Sequence, residues 1–356
     1  MTGASAGTRA EPPVLGPVPT SVAAVSRHFT DPLWGITVHL TPVEADLLHT
    51  APLRRLHFVA HGGASALTTL QSYSRLEHTL GVLALTAHFH PGDELLRTAA
   101  LLHDIGHLPL SHTLEGTAGL DHHSIGAALL RTDPVRAVLG RHGIAPEAVT
   151  ALLDGTPPSP LAGDSGLLNL DHLDSYVRSG RSAGRLAVDP AHLLGRLGLA
   201  GTADTAVTTD RETAGTLVGL VRAEAQLHTS WDNVAPTSVA RRLARQLLDG
   251  TGLEPARLAR MTDNELWSAL DAHPPTRPES AMLRGEPHRL RVAVAGTAES
   301  GPSGPPGASG WDFALRKIYS SAPLVDGRRL EDAAPGLAAG LRALDLLPTT
   351  FRVWWA

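Results

Sequence analysis

The sequence contains no cysteine among its 356 residues. Disulfide bonds, thiolate nucleophiles and cysteine-based zinc sites are therefore excluded. No apolar run reaches the ~18 residues that a membrane-spanning helix needs, so no membrane partner is predicted. Residues 1–19 lack the basic start and continuous apolar stretch of a signal peptide, and we expect a cytoplasmic protein.

Lysine is almost missing as well, because Lys317 is the single lysine of the chain. The formal net charge of -5 disfavours a nucleic-acid partner, since proteins that bind nucleic acids normally carry a basic face. A content of 42% hydrophobic and 18% charged residues is that of an ordinary globular protein. Any contact with a phosphate must therefore come from arginine, histidine, backbone N–H groups or a metal.

Three regions of the chain differ in composition. Residues 1–20 are rich in small residues and proline, which predicts a disordered arm. A helical period dominates residues 41–250, and we assign residues 21–270 to one helical domain. Strand-like alternation and a Gly/Ser/Pro-rich stretch follow, which predict a small α+β region at 271–356 with a flexible loop near 296–310. The predicted fold class is mainly α, a helical core with a small α+β C-terminal appendage.

Apolar periodicity predicts the individual elements. The helices are expected at 42–49, 74–89, 91–105, 123–131, 134–142, 146–153, 165–179, 190–197, 210–248 and 330–347, and the strands at 288–295, 314–319 and 350–355. The helix at 91–105 places His103 on the same ridge as Leu96 and Ala100, so its side chain is expected to face inward. Gly106 and Pro109 should end this helix.

Histidine is abundant, and the 19 histidines concentrate between His78 and His123. A single histidine on an apolar helix is usually a core residue bonded to a carbonyl. Here His78, His103, Asp104 and Asp171 each lie on an apolar helical segment, and burying four such groups without a metal would be costly. Imidazole nitrogens and carboxylate oxygens are ligands of borderline divalent metals such as Zn, Fe, Mn or Co. We therefore predict a metal site at these four residues.

Two longer motifs contain these residues. Residues 75–82 read Arg-Leu-Glu-His-Thr-Leu-Gly-Val, and residues 101–112 read Leu-Leu-His-Asp-Ile-Gly-His-Leu-Pro-Leu-Ser-His. Both closely resemble motifs of the HD-domain superfamily, and within it those of the deoxynucleoside triphosphate triphosphohydrolases. The resemblance covers about residues 50–185. It implies an HD-type helical core, a divalent transition metal (Fe, Mn, Zn or Co) and a homo-oligomer, and it leaves a second metal such as Mg open.

The resemblance also implies a role for each polar residue of these segments. The metal ligands of the family match His78, His103, Asp104 and Asp171. Its other functional positions match the catalytic candidates Glu115, His123 and His107 and the substrate-binding candidates Arg75, His112 and His172. Glu115 and His123 would form an acid–histidine pair at the scissile phosphate, and Arg75 would grip a phosphate. In such chemistry a metal-held water attacks phosphorus while a protonated histidine donates to the leaving oxygen.

The last segment departs from the triphosphohydrolases. In that branch the final metal aspartate is followed by a lysine, a tyrosine and a second aspartate that contact the triphosphate and the deoxyribose. This chain has His172, Ser175 and Ser179 at those positions. Tyr176 is one residue out of register, which turns it about 100° around a helix.

These departures predict retained phosphate-ester hydrolysis with an altered choice of substrate. The predicted function is that of a metal-dependent phosphohydrolase whose partner is a small phosphate ester, with a nucleotide expected. Release of one phosphate or of triphosphate stays open, and so does a modified nucleotide. Farther along the chain, His228 and Trp231 are candidates for the wall of the pocket.

Two other functions remain open. HD-type di-iron oxygenases share the fold and need extra histidine ligands, for which His107, His112 or His123 would serve. The altered positions are also compatible with a nucleotide-sensing module whose site no longer turns over substrate.

Overall fold

The computed structural model describes residues 18–163, 166–201, 205–297 and 310–356, and helices dominate these ranges. The helices, in chain order, are α1 Pro42–Leu48, α2 Ala51–Arg55, α3 Arg75–Phe89, α4 Glu94–Leu102, α5 His122–Leu130, α6 Val135–Arg141, α7 Pro146–Leu153, α8 Leu170–Ser182, α9 Pro190–Leu194, α10 Arg211–Thr229, α11 Trp231–Thr251, α12 Pro255–Leu258, α13 Asp263–Ala272, α14 Arg277–Gly285, α15 Leu330–Ala333 and α16 Pro335–Arg342. The mainly α class predicted from the sequence is confirmed. Most of the arm predicted at 1–20 and of the loop predicted near 296–310 lies outside the described residues.

The strands in these ranges form three small sheets. They are β1 His28–Thr30, β2 Thr37–His39, β3 Gly198–Ala200, β4 Ala206–Thr209, β5 Leu290–Val294, β6 Trp311–Ala314, β7 Leu324–Val325 and β8 Thr350–Trp355. Strands β1 and β2 pair antiparallel, β3–β4–β7 form a sheet in which β7 is parallel to β4, and β8 lies between β5 and β6. Among the described residues, none of the helices combines the length and hydropathy that crossing a membrane requires.

Helix α4 is shorter than predicted at both ends. It begins after Asp93, whose side chain accepts a hydrogen bond from the backbone N–H of Leu96 at 2.9 Å. It ends at Leu102, so His103 and Asp104 lie where the helix gives way to turns. The side chains of His103 and Asp104 can therefore point toward the same place. In a continuous helix, two consecutive side chains would point about 100° apart.

Helices α3 and α8 also begin at capping residues. Ser74 accepts a hydrogen bond from the N–H of Glu77 at 3.2 Å, and Asn169 accepts one from the N–H of His172 at 2.8 Å. The helix predicted at 165–179 therefore starts five residues later, at Leu170. Helix α3 packs against both α4 and α8 within the larger apolar core. This packing brings together the three segments that carry the metal candidates.

The long helix predicted at 210–248 is wrong, because two helices occupy this range. Ser230 has an extended backbone (φ -82°, ψ 167°), ends α10 and begins α11. Its hydroxyl donates to the carbonyl oxygen of Leu227 at 2.8 Å. The apolar period continues across the break, and a lone serine is a weak signal for a helix start. Helix α10 packs against α8, and α11 packs against the 3-10 helices Gly63–Leu67 and Ser111–Leu114.

The C-terminal region is interwoven with the helices that precede it. Strand β7 pairs with β4, α16 packs against α10, and β5 packs against α11. Leu290, Phe351 and Val353 share a second apolar core with Val239 and Leu243 of α11. These contacts cross residue 270, where the sequence predicts a domain boundary, and that division stays a prediction.

Two elements of the C-terminal region differ from expectation. The strand predicted at 314–319 is wrong, because β6 ends at Ala314 and residues 315–321 run without helix or strand. The pairing of Phe313 with Phe351 fixes β6 against β8. The helix predicted at 330–347 is divided into α15, α16 and the 3-10 turn Ala343–Leu346, because Pro335 lacks the N–H that would continue α15.

A buried ion pair ties α1 to α4. Arg97 Nε and Nη2 donate to the two carboxylate oxygens of Glu44, each at 2.8 Å, and Glu44 has no solvent exposure. Arg97 also donates to the backbone oxygens of His39 and Pro91. Glu44 in turn accepts the N–H of Thr41 in a capping box. Because both charged groups lie in the core, away from water, each is stabilised by the opposite charge and hydrogen bonds of the other.

We expect Arg97→Ala to lower the free energy of unfolding by about 3–5 kcal/mol, because it leaves the Glu44 carboxylate buried without its cation. Urea denaturation measures the change. The matched control is Arg136→Ala, whose ion pair with Asp133 is exposed and contributes less than about 1 kcal/mol. Equal losses in the two variants would contradict the assignment.

Candidate metal centre and active site

Four side-chain atoms converge between α3, the end of α4 and the start of α8. His78 Nε2 lies 3.0 Å from Asp171 Oδ1, 3.4 Å from His103 Nε2 and 3.6 Å from Asp104 Oδ2. His103 Nε2 lies 3.4 Å from Asp104 Oδ2 and 3.7 Å from Asp171 Oδ1. The ligand atoms of His78, His103 and Asp171 all lie within 4.8 Å of one another, as atoms that bind one ion do, and Asp104 Oδ2 lies within 3.6 Å of both histidine nitrogens. We call these four residues the metal cluster.

The opposite nitrogen of each histidine ring has a partner that fixes its tautomer. His103 Nδ1 donates to the carbonyl oxygen of Ala100 at 2.7 Å. His78 Nδ1 donates at 2.8 Å to Asp174 Oδ2, which as a carboxylate oxygen only accepts. Both Nδ1 atoms therefore carry the hydrogen, and each Nε2 lone pair is directed at the shared point.

Asp174 is held by more than His78. It has no solvent exposure, and its Oδ1 accepts hydrogen bonds from Trp34 Nε1 at 2.7 Å and Arg178 Nη2 at 2.8 Å. Its Oδ2 accepts a further bond from Arg178 Nε at 2.9 Å. Gly81 allows this approach, because a Cβ at that position would collide with the side chains of Asp174 and Arg178. The orientation of the His78 ring is therefore set from α8.

The electrostatics of the metal cluster favour a bound cation. Burial lowers the pKa of His103, but Asp104 and Asp171 outweigh burial and the net pKa lies well above its usual value. Burial raises the pKa values of Asp104 and Asp171, yet neighbouring histidines hold both well below their usual range. Both carboxylates are thus ionised and draw positive charge to the point between them. A divalent cation supplies that charge and displaces the ring protons, so the donor set fits a divalent transition metal.

Arg75 contacts the metal cluster through Asp104. Its side chain is 3% exposed, and its Nη1 donates to Asp104 Oδ2 at 3.0 Å. Nη2 donates to the carbonyl oxygen of His61 at 3.0 Å, and Nε donates to Ser111 Oγ at 3.3 Å. Arg75 borders the cavity of the site. Its contacts fix the position of Asp104. They do not test the predicted contact between Arg75 and a substrate phosphate, which stays a prediction.

A second group of histidines adjoins the metal cluster. His107 is buried, and its Nε2 lies 3.0 Å from Asp104 Oδ1. Its ring stacks on that of His122 with centroids 4.4 Å apart and meets His112 edge-on at 4.6 Å. One nitrogen from each of these three rings lies within 4.8 Å of the others. Among the described residues, His107 Nδ1 has no hydrogen-bond partner, so the group has bonding capacity left for a ligand.

The acid–histidine pair differs by one residue from the prediction. Glu115 Oε2 lies 2.8 Å from His122 Nδ1, and Glu115 Oε1 accepts the backbone N–H of His122 at 3.1 Å. His123 is the next residue of the helix, so its side chain points about 100° away from that of His122 and is exposed at the border of the same cavity. Its predicted catalytic role stays a prediction. Gly106 allows α5 to come this close, since a Cβ there would collide with the backbone of His122 and Gly126.

A cavity of about 680 Å³ is bordered by His103, Asp104 and Asp171 of the metal cluster and by the second histidine group, and residues from the C-terminal region form part of its wall. Arg316 Nη1 lies 3.6 Å from Glu115 Oε1. The single lysine, Lys317, places its Nζ 4.7 Å from the centroid of the Tyr319 ring. These residues come from the irregular stretch 315–321, which the sequence predicted in part as a strand.

The remaining sequence candidates divide into two sets. His172 and His228 border the cavity, and their rings lie 5.5 Å and 6.1 Å from the Tyr319 ring. His172 Nδ1 is also 2.9 Å from Ser321 Oγ. Trp231, in contrast, packs on the second apolar core and donates its Nε1–H to the carbonyl oxygen of Leu290 at 3.0 Å. The role predicted for His172 in substrate binding stays a prediction.

Comparisons with known proteins agree with this geometry. A model of the HD domain matches residues 75–156, which include His78, His103, Asp104 and the second histidine group. This part of the chain is similar to the HD domain. The metal-dependent phosphohydrolase cns2 of Cordyceps militaris is 29% identical over 279 residues, covering 71% of this chain and 78% of that protein. The narrower resemblance to the triphosphohydrolases stays a prediction.

Two solved structures share the fold of this protein. A hypothetical protein from Aquifex aeolicus superposes with a TM-score of 0.66 at 18% identity, covering 92% of this chain and 96% of that one. A phosphohydrolase from Bacteroides thetaiotaomicron gives a TM-score of 0.65 at 17% identity, covering 92% of this chain and 99% of that one. At these identities the likeness concerns the fold alone.

Several residues of the site had no role assigned from the sequence. Asp174 lies three residues after Asp171, and this spacing of nearly one helical turn was an available signal for a supporting carboxylate. Arg316, Tyr319 and Glu224 border the cavity from distant segments. No local pattern marks them, because their place depends on tertiary packing.

We expect Asp174→Asn to weaken metal binding by about 10- to 100-fold, because the amide no longer fixes the His78 ring with a charged acceptor. Titration of the metal-free protein with Mn²⁺ or Zn²⁺ measures the dissociation constant. Asp249→Asn, at an exposed position of α11, is the control for the loss of one negative charge. An unchanged dissociation constant in folded Asp174→Asn would show that Asp174 does not position the ligand.

Proposed function

We propose that this protein is a metal-dependent phosphohydrolase that cleaves a phosphate ester of a nucleotide. The observation that supports it most is the convergence of His78, His103, Asp104 and Asp171 beside a second histidine group in one cavity. The relative named as a metal-dependent phosphohydrolase supports the same reaction class.

The metal cluster would hold a divalent ion such as Fe, Mn, Zn or Co. Such an ion, when bound, polarises a phosphoryl oxygen and lowers the pKa of water, which supplies the nucleophile. The protein's own part is to keep both Nε2 lone pairs and both carboxylates aimed at one point, through Ala100, Asp174 and Arg75. A second metal such as Mg stays part of the proposal, because Glu115, Asp121 and His122 form a further group of possible ligands, and its carboxylate oxygens suit Mg.

His122 and Glu115 are placed to move a proton. Burial raises the pKa of Glu115, but its hydrogen bonds with His112 and His122 outweigh burial and keep the carboxylate ionised. The hydrogen bond between Glu115 Oε2 and His122 Nδ1 orients the ring, and the role proposed for His122 is to donate a proton from Nε2 to the leaving oxygen. Arg316, 3.6 Å from Glu115, adds positive charge near a departing phosphate.

A nucleotide fits the shape and polarity of the cavity. Its volume of about 680 Å³ lies in the range of small-molecule sites. Its lining includes the histidine group, Arg316 and Lys317, which suit an anion. It also includes neutral polar side chains that suit an uncharged, hydrogen-bonding body, namely Gln71, Ser175, Tyr176, Asn233 and Thr237. We also propose a cytoplasmic homo-oligomer, on the resemblance to the triphosphohydrolases.

The double variant His103→Ala/Asp104→Ala is expected to lose both metal and activity. Metal analysis of the purified protein, followed by assays of phosphate, pyrophosphate and triphosphate release from a nucleotide panel with Mn, Fe, Co and Mg, tests this. Absence of release from every nucleotide by metal-loaded wild type would reject the proposed reaction. Such a result with tight nucleotide binding would favour a sensing module.

The contact of Glu115 with His122, and not with His123, allows the roles of the two histidines to be compared directly. We expect His122→Ala to reduce kcat by about 10²- to 10⁴-fold, because it removes the proton donor. His123→Ala is the matched control, since its exposed ring does not contact Glu115, and its kcat should stay near that of wild type. A larger loss in His123→Ala than in His122→Ala would reverse the assignment.

A di-iron oxygenase is the second candidate. The observation in its favour is the second histidine group, in which His107 Nε2 faces Asp104 Oδ1 while Asp104 Oδ2 faces the metal cluster. Two irons per chain and oxygen consumption would support this candidate. One metal per chain and phosphate release would support the hydrolase.

A further inference from the structure

The end of the cavity away from the metal cluster contains a buried carboxylate that the proposed chemistry does not use. Glu224 of α10 borders the cavity, and its side chain is only 13% exposed. We propose that Glu224 recognises the non-reacting end of the substrate. It would accept hydrogen bonds from a neutral donor, which is a hydroxyl or amino group of a nucleoside. This inference rests on the proposed function and adds which part of the substrate the protein recognises.

Neighbouring side chains fix the position of Glu224. Ser179 donates its hydroxyl to Glu224 Oε2 at 2.5 Å, and Gln71 donates its amide to Ser179 Oγ. On the other side, His228 Nε2 lies 3.4 Å from Glu224 Oε1. Three elements, α8, α10 and the segment before α3, therefore hold one carboxylate in place.

The carboxylate keeps unused capacity to accept. Burial would raise the pKa of Glu224, but the hydrogen bonds from His228 and Ser179 outweigh burial and hold it below the usual value. An ionised carboxylate has about four lone-pair positions, and two of them are occupied by these partners. The remaining positions can accept from a ligand. They would repel a phosphate, so the charged end of the ligand is directed to the metal cluster.

A second polar group borders the cavity. Tyr176 is 4% exposed, and its hydroxyl lies near Ser321 but makes no hydrogen bond of ordinary geometry among the described residues. A buried hydroxyl without a partner costs free energy unless a ligand or water satisfies it. Glu224 and Tyr176 together therefore offer an acceptor and a donor to one polar ligand.

The separation from the metal cluster suits a nucleoside that carries its phosphate at one end. Asp171 of the metal cluster and Ser179 lie on one face of α8, eight residues apart, which is about 12 Å along a helix. The group bound by Glu224 is thus remote from the reacting phosphorus. Its effect is on which substrate binds in a productive orientation.

A matched substrate series tests this. Adenosine, inosine and 2′,3′-dideoxyadenosine nucleotides are compared in the phosphate form that wild type hydrolyses best. Inosine lacks the amino group and dideoxyadenosine lacks the ring hydroxyls, so the two arms separate the possible donors. We expect kcat/KM to fall at least about tenfold for the analogue that lacks the bound donor, because a hydrogen bond to a charged acceptor is lost.

In Glu224→Gln this preference should collapse toward a ratio of one. Glu212→Gln, an exposed position of the same helix, is the control and should keep the wild-type ratio. Circular dichroism and thermal unfolding verify the fold of both variants. If Glu224→Gln does not fold, Ser179→Ala, which removes a hydrogen bond to Glu224, replaces it with the same expected loss of preference.

The outcomes separate this inference from the proposed function. Hydrolysis with no preference in wild type, or with the same preference in Glu224→Gln, rejects the role of Glu224 and leaves the phosphohydrolase standing. If no nucleotide is hydrolysed, calorimetric binding of adenosine, inosine and 2′,3′-dideoxyadenosine decides instead. Discrimination that is lost in Glu224→Gln supports the role of Glu224, and its absence or its persistence in the variant overturns it.

Discussion

The hydrogen bond between Asp174 and His78 connects the metal cluster to the folded core. Burial raises the pKa of Asp174, but Arg178 and His78 outweigh burial and hold it at about 2. Arg178 in turn donates to Asp31, which lies beside strand β1 at the N-terminal side of the fold. The carboxylate is stable at zero exposure only because these partners satisfy it. The geometry of one ligand ring therefore depends on α3, α8 and the N-terminal segment together.

Much of the fold and of the metal cluster could be predicted from the sequence. The apolar ridge that carries His103 and the motif around His78 are local patterns, and local patterns survive folding with their spacing intact. Helices α3 and α7 lie close to their predicted positions for the same reason. Asp171 is farther along the chain, yet it also starts a helix with a clear apolar face. Four polar residues on apolar segments would be buried in the core, and binding one shared ligand is among the few arrangements that would satisfy all of them.

The parts that could not be predicted depend on long-range packing or on a single residue of register. His122 and His123 are chemically identical neighbours, and only the approach of α5 past Gly106 decides which of them meets Glu115. The break at Ser230 interrupts a continuous apolar period without a proline or glycine to signal it. The sequence shows Ser179 where the triphosphohydrolases have an aspartate. It does not show that Glu224, 45 residues later, hydrogen-bonds to that serine.

The irregular stretch 315–321 has a consequence for how this protein can change over time. It is fixed by β6 at one end and by β7 at the other, and it contributes a wall of the cavity without contributing a metal ligand. Loops on a rigid framework tolerate substitution and insertion far better than packed helices do. The metal chemistry and the shape of the cavity are thus encoded in separate parts of the chain. Descendants of this protein can acquire a different substrate through this stretch while they inherit the same reaction.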